Sequence, residues 1–466
     1  MRRILLAALL LSGACTTRRT IGQPSFAVHD EPIRVDAYAK ADILFMVDNS
    51  PSMAPKQTEL RRRFPELLQQ IQATQGLNAS YHIGVVTSDL GAGPYELDRG
   101  QCHPDGDGGK LRTRPSPTAV SVDAACSRFT LANGASFIDL DALSGTSNVE
   151  GTDVATAFSC LASVGDIGCG FEHPLESVYR ALATPSVNPG FLRDDALLVI
   201  VFVTDEDDCS APPDSDLFDP SPAGIGLYGP LHSYRCTQFG ISCDGKPLGA
   251  QPVDGSACTP TPTRTADGGK LLDLARYTTL FSAPRSHGGL KDDPADVIVA
   301  SVAAPPAPFG STLTTPCGDQ ASNPSCVLLS HSCVATDDPR FFGDPAVRLD
   351  AVVRAAPSHI ATSICDTDYS PLMGQLVTQM ASRMAPGCLP GGVVDLADPG
   401  CQVDIGDTVV TRCGDGHLPC WGLQDDASCA LQPTPNGSLQ HLRLTVQGRP
   451  PGLPIRAMCP LYLPSL

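Results

Sequence analysis

Seven consecutive apolar residues, Leu197–Val203, run straight into the acidic segment Thr204-Asp205-Glu206-Asp207-Asp208. A strand with one wet face alternates apolar and polar residues. An unbroken apolar run of this length instead suits a strand covered on both faces, as in a parallel sheet with helices on either side. The run Ile43–Val47 behaves the same way and stops abruptly at Asp48-Asn49-Ser50-Pro51-Ser52. The segment after it places Leu60, Phe64, Leu67, Leu68 and Ile71 at three- and four-residue spacing, the apolar face of an amphipathic helix. A core strand, a burst of carboxylate and hydroxyl groups, and then a helix form the unit from which the rest of the chain is read.

That unit recurs. "YHIGVVTSD" (81–89) and "DVIVASVAA" read as further buried strands, "HIATSICDTD" as another, and "SFIDLDAL" as an edge strand. Helical patterns follow in "TDVATAFSCLASVG", in "FEHPLESVYRALAT" with Leu175, Val178 and Leu182 on one face, in "KLLDLARYTTLFSA" and in "AVRLDAVVRAA". The last helix has Ser370 as its expected N-cap and Pro371 at its first position, with Leu372, Leu376, Met380 and Met384 facing inward. Strands alternating with helices predict an α/β fold built on a doubly wound, mostly parallel sheet, of Rossmann-like type. It spans residues 41–387, with insertions rich in Gly, Pro and Cys near 90–135, 211–267 and 305–345. Residues 388–466 read as a small Cys-rich β module.

Compartment is read from the other end of the chain. Arg2 and Arg3 precede the apolar stretch Ile4–Leu11, and Ser12, Gly13 and Ala14 precede Cys15. A stretch this short cannot span a bilayer, which takes about 20 apolar residues, so 1–14 reads as a secretory signal and 15–40 as a polar tether. The chain has 19 cysteines: Cys15, twelve between 102 and 365, and six from 388 onward. With a signal peptide, such numbers imply an oxidising compartment and disulfides, and the two even counts let each part close its own bridges. The formal charge of −18 disfavours nucleic acid and anionic lipid as partners and favours cations.

Two resemblances carry functional expectations. The N-terminal stretch resembles a bacterial lipoprotein signal ending in a lipobox, with Ser12 where an aliphatic residue is usual. It implies lipidation of Cys15, and Thr16 after it, rather than Asp, implies sorting to the outer membrane. Ser12-Gly13-Ala14 also suits ordinary signal peptidase. Asp48-x-Ser50-x-Ser52 after the first strand, and Asp205 after the strongest strand, resemble the von Willebrand factor A domain and its metal-ion-dependent adhesion site. That resemblance covers roughly 41–386. It implies that Asp48, Ser50, Ser52 and Asp205 hold a divalent cation, Mg²⁺ or Ca²⁺, both of which take oxygen ligands.

The family's middle-loop Thr is missing. Gly170-Phe171-Glu172-His173-Pro174 stands in its place, and Glu172 is the expected fifth ligand. His173 reads as a structural residue at a helix terminus, and Thr152 is a further candidate for the missing Thr. The plain alternatives are that Ser50 and Ser52 only cap a helix, that Asp207 and Asp208 are solvated loop acids, and that "HPDGDGGK" (103–110) is an Asp-Gly turn rather than a calcium loop. Asn78-Ala79-Ser80 fits a glycosylation pattern that means little on a bacterial lipoprotein.

Neither a nucleophile-elbow Gly-x-Ser-x-Gly, nor His-Glu-x-x-His, nor a phosphate-binding loop occurs. The reading is therefore a non-enzymatic, lipid-anchored, extracytoplasmic protein that binds a protein or a cell-surface polymer through its metal face. A structural envelope lipoprotein and a metal-dependent hydrolase are the alternatives.

Overall fold

The computed structural model describes residues 26–33, 40–74, 77, 79–97, 102–119, 122–142, 144–249, 251–255, 258–315, 325–384, 387–414, 416–427, 429, 431–448 and 455–464. The expected signal peptide, Cys15, Asn78 and Cys317 lie outside them. The chain divides into a large unit, Asp36–Gly387, and a small one that joins Met1–Val35 to Cys388–Leu466.

The large unit is built on a seven-stranded mixed sheet. Its strands are β1 (Lys40–Val47), β2 (Ser80–Thr87), β3 (Ile138–Asp141), β4 (Thr146–Ser147), β5 (Leu197–Val203), β6 (Val297–Ala303) and β7 (Ser358–Ser363), in the spatial order β7-β6-β5-β1-β2-β3-β4. The five from β7 to β2 are parallel, while β3 and β4 pair antiparallel at one edge. The sheet is thus mixed rather than parallel throughout.

Alternate residues of the apolar runs serve opposite faces, which is why the runs are unbroken. Ile43, Phe45 and Val47 of β1 and Val199, Val201 and Val203 of β5 join one core. Leu60, Phe64, Leu67 and Ile71 of α1 (Ala54–Ala73), Phe158 of α2 (Val154–Leu161) and Leu372, Leu376 and Met380 of α6 (Ser370–Met384) complete it. Leu44, Met46, Leu198, Ile200 and Phe202 join the other. There they meet Leu175 and Val178 of α3 (Pro174–Ala183), Tyr277 and Phe281 of α4 (Ala275–Ser282), and Leu349 and Val352 of α5 (Val347–Ala355). Each fully buried side chain of this size contributes on the order of 1.5–3 kcal/mol. Ser370, expected as a cap, is itself the first residue of α6, and its N–H donates to Asp368 Oδ1 at 2.9 Å.

The insertions have structure of their own. Residues 211–267 hold helices Pro222–Tyr228 and Tyr234–Gly240 and a three-stranded sheet, and 305–345 hold the pair Phe309–Thr314 and Cys326–Ser330. Disulfides Cys102–Cys169, Cys126–Cys160, Cys209–Cys236, Cys243–Cys258 and Cys333–Cys365 staple this unit, and Cys326 is also bonded.

The small unit corrects the tether reading. Phe26–Ile33 is a strand, antiparallel to Ile455–Pro464, which pairs in turn with Gln402–Ile405. Its core gathers Ile33, Val403, Ile405, Trp421, Leu444 and Leu461. Cys388–Cys429, Cys401–Cys459 and Cys413–Cys420 staple it. Every bridge among the described residues closes within one unit. Such a density of disulfides is that of an extracytoplasmic protein. No helix among the described residues is long and apolar enough to cross a membrane.

Candidate functional site

Strands β1 and β5 are neighbours in register, Val47 opposite Val203, so both chains leave the sheet side by side. Asp48 N–H still reaches Val203 O at 2.9 Å, and Thr204 N–H reaches Val302 O at 3.1 Å. Apolar cover ends there, and the polar residues begin.

Asp48 is fully buried. Its Oδ1 accepts from Ser50 N at 2.7 Å, its Oδ2 accepts from Thr204 Oγ1 at 2.6 Å, and its carbonyl accepts from Gln57 Nε2 at 2.9 Å. Ser50 Oγ stands 3.2 Å from Ser52 Oγ and donates to Asp205 Oδ1 at 3.4 Å. Ser50 precedes the short 3-10 turn Pro51–Met53 and makes no side-chain capping bond. The capping reading therefore fails for Ser50: its hydroxyl turns to the carboxylates.

A loop crosses the same strand ends. Gly168 N–H donates to Asn49 O at 2.9 Å, His173 N–H to Ser88 O at 2.9 Å, and Cys209 N–H to Glu172 O at 2.7 Å. The approach is close at Gly168, where a Cβ would lie 2.6 Å from Asn49 Oδ1. The loop buries Glu172 at 1% exposure. Its Oε2 accepts from Ser88 Oγ, while its Oε1 has no hydrogen-bond partner. His173 opens α3 with Nε2 3.1 Å from Gly91 O, and burial pulls its pKa down to about 4, leaving it neutral. Thr152 is only half-buried, in the turn before Asp153, which caps α2.

The electrostatics are those of crowded acids. Burial, and then the charge of Asp205, push Asp48 up to about 6. Burial, and then the charge of Asp48, push Glu172 well above the carboxylate range, and the same two causes act on half-buried Glu206. Against these four carboxylates Lys56, from the first turn of α1, supplies one positive charge, with Nζ 2.6 Å from Asp205 Oδ2.

A divalent cation fits this donor set. Hard oxygen ligands suit Mg²⁺ and Ca²⁺, and a buried carboxylate oxygen without a partner, as in Glu172, calls for a cation or a proton. Among the described residues no three Asp, Glu, His or Cys side chains stand close enough to hold an ion by themselves. The hydroxyls of Ser50 and Ser52 would have to complete any shell.

Beside Glu206 opens a cleft of about 310 Å³, walled by Leu97, Phe171 and Leu231 and by the Cys102–Cys169 bridge. A larger cleft of about 520 Å³ is lined by Tyr179, Leu182, Arg285 and Leu290, toward the far end of α3, and none of the strand-end acids reaches it.

No family model matches this sequence, and no curated protein is significantly similar to it. Among solved structures, the open conformation of the pilus adhesin SpaC from Lactobacillus rhamnosus GG aligns at 10% identity and a TM-score of 0.33, over 95% of this chain and 43% of that one. The pilus adhesin RrgA from Streptococcus pneumoniae aligns at 10% identity and 0.28, over 93% and 57%. A von Willebrand factor type A structure from Catenulispora acidiphila aligns at 10% identity and 0.27, over 95% and 66%. This chain thus spans less than half the length of SpaC. Likenesses at this level assign neither fold nor function.

One reading needs correction, and one alternative is met. Asp207 and Asp208 are not solvated loop acids. Asp207 accepts from the N–H groups of Arg348 and Leu349 at 3.0 Å, capping α5 from a distant loop. Asp208 is 1% exposed and pairs with Arg348 at 3.1 Å. In the 103–110 segment, Asp107 accepts from Thr87 Oγ1 at 2.6 Å, and Gly106, Gly108 and Gly109 take positive φ, the geometry of a turn.

Sequence reasoning missed Thr204, Lys56, Ser88 and Glu206. Thr204 and Glu206 flank Asp205 and could have been found by asking which hydroxyl and which acid share its strand end. Lys56 and Ser88 carried no local signal.

Proposed function

We propose that the large unit is a cation-dependent binding module of the von Willebrand factor A type, on a doubly wound sheet, with no catalytic role. Asp48, Ser50, Ser52, Asp205 and Glu172 would hold one divalent ion, Mg²⁺ or Ca²⁺. The bound ion would offer positive charge to an acidic group on a partner protein or surface polymer. The observation that carries the reading is Glu172 Oε1, a buried, unpartnered carboxylate oxygen in a cluster whose acids raise one another's pKa. The module would be carried outside the cytoplasm on a lipid anchor at Cys15, at the outer membrane.

A second reading has one observation in its favour. The buried Lys56–Asp205 pair already neutralises one carboxylate, as a metal-free cluster that merely joins loops would require.

Melting curves in EDTA and in excess Mg²⁺, Ca²⁺ or Mn²⁺, on the wild type and on Asp48→Ala, separate the two. A ligand that binds only the folded state raises the melting temperature as its free concentration rises. The wild type should respond to at least one ion, and Asp48→Ala to none. Identical wild-type melting in EDTA and in every ion replaces the binding module with the structural reading. Pull-down of envelope material with and without chelator then tests the binding role itself.

A further inference from the structure

Lys56 is out of place for a residue in the first turn of a surface helix. Its side chain is 0% exposed, and Asp205, its partner, is 1% exposed. Each direction open to the ammonium is filled: Asp205 Oδ2 at 2.6 Å, Ser52 O at 3.1 Å, and the face of the Phe342 ring, whose centroid lies 4.1 Å away. Burying an ammonium is costly unless it is paired and hydrogen-bonded, and an aromatic face adds to the compensation. Its carboxylate partner, Asp205, is also the one that accepts from the Ser50 hydroxyl.

We propose that Lys56 is a resident counter-cation of the strand-end site: it occupies part of the charge demand of Asp205 and so weakens the site's hold on a divalent ion. The proposal rests on the ion-binding reading above and adds a residue that sets its affinity. The physical reason is direct. A fixed positive charge bonded to one ligand repels a second cation approaching the same carboxylate, and this repulsion is strong where water is excluded. The site would then be tuned to fill only at high free ion concentration, and Lys56 would keep the acids together when it is empty.

The competing explanation is a structural staple, with Lys56 only tying the start of α1 to the end of β5. The two differ in sign. Loss of a staple loosens the site and weakens ion binding. Loss of a counter-cation leaves a buried, unpaired Asp205, which destabilises the ion-free protein but strengthens ion binding.

The experiment is calorimetric titration of Mg²⁺, Ca²⁺ and Mn²⁺ into the full mature chain, as wild type, Lys56→Met, Lys56→Arg and Lys56→Met/Asp48→Ala. Lys56→Met should bind about tenfold more tightly than wild type, Lys56→Arg should not tighten, and the double variant should not bind. Ion binding by Lys56→Met but not by wild type, abolished by Asp48→Ala, also supports the proposal, while refuting ion dependence of the wild type. If the wild type binds through Asp48 and Lys56→Met binds equally or more weakly, the counter-cation role is overturned and the module reading survives. If neither protein binds any ion, both fall. Should Lys56→Met not fold in EDTA, recovery of a native melting transition at ion concentrations that leave wild type unshifted supports the proposal. No recovery at any concentration overturns it.

Discussion

Thr204 donates its hydroxyl to Asp48 Oδ2 at 2.6 Å, across the seam between β5 and β1. The bond joins two residues 156 positions apart and holds the buried carboxylate in one orientation. Thr204→Val keeps the shape and removes the donor, leaving a buried acceptor short of one bond. The expected loss is about 1–2 kcal/mol in chelator. Denaturant unfolding in EDTA checks it. The loss should shrink in saturating ion, because an ion on Asp48 takes over the role of the donor. An equal loss in both conditions would separate Thr204 from the ion site.

Glu172 gives the opposite sign. Its carboxylate is buried, one oxygen lacks a partner, and the charges of Asp48 and Glu206 oppose its ionisation. Glu172→Gln removes that charge at nearly constant volume. In chelator the variant should be as stable as wild type or more so. In excess Ca²⁺ or Mg²⁺ its melting temperature should rise less than that of wild type. A full ion response in Glu172→Gln would remove Glu172 from the ligand set.

The contrast between Glu172 and Lys56 shows what could be read from residues alone. Strand positions were legible because burial on both faces forces unbroken apolar runs, and Leu197–Val203 carries that signal without tertiary help. Asp48 and Asp205 were legible because polar text begins where the cover ends. Lys56 was not, since a lysine in the first turn of an amphipathic helix ordinarily points to water, and its partner lies 149 residues away. Asp207 and Asp208 were misread for the same reason: the α5 amides and Arg348 that bind them are some 140 positions distant. The strand Phe26–Ile33 was hidden twice over. It has no clean alternation, and its pairing partner, Ile455–Pro464, lies at the other end of the chain.

The proposed anchor at Cys15 is open to direct measurement. Mass spectrometry of the protein purified from membranes should show a diacyl or triacyl addition on Cys15, and Cys15→Ser should release the protein from the membrane fraction. An acyl pair would contribute most of the membrane affinity, because each buried methylene is worth about 0.8 kcal/mol. An unmodified Cys15 thiol, or a retained N-terminal signal, would rule the lipoprotein reading out.

The pH dependence of stability follows from the direction of the acid shifts. Asp48 and Asp207 are pushed up to about 6, mainly by burial, and Glu172 and Glu206 well above their ordinary range. A group whose folded-state pKa exceeds its unfolded value binds its proton more tightly when the chain is folded. Between about pH 4 and 6 the folded protein therefore keeps on these acids protons that the unfolded chain has released, and their contribution to stability falls as pH rises through this window, opposed in part by buried His173, whose lowered value acts with the opposite sign. Glu172 and Glu206 extend the fall to higher pH. In EDTA these acids should accordingly lower the melting temperature from about pH 4 to pH 7, most steeply near pH 5, midway between their unfolded and folded values. Asp207→Asn, which keeps an acceptor for α5 but cannot ionise, should remove part of the decline whether or not ion is present. Saturating Ca²⁺ or Mg²⁺ should remove or reverse what remains, since the ion favours the ionised carboxylates that the empty site disfavours. That split assigns the slope to two causes: the Asp207 share is independent of ion, and the share of Asp48 and Glu172 is not. A melting temperature that rises from pH 4 to 7 in EDTA would mean that these acids are held ionised by partners other than those at the strand ends, and the crowded-acid account of the site would have to be abandoned.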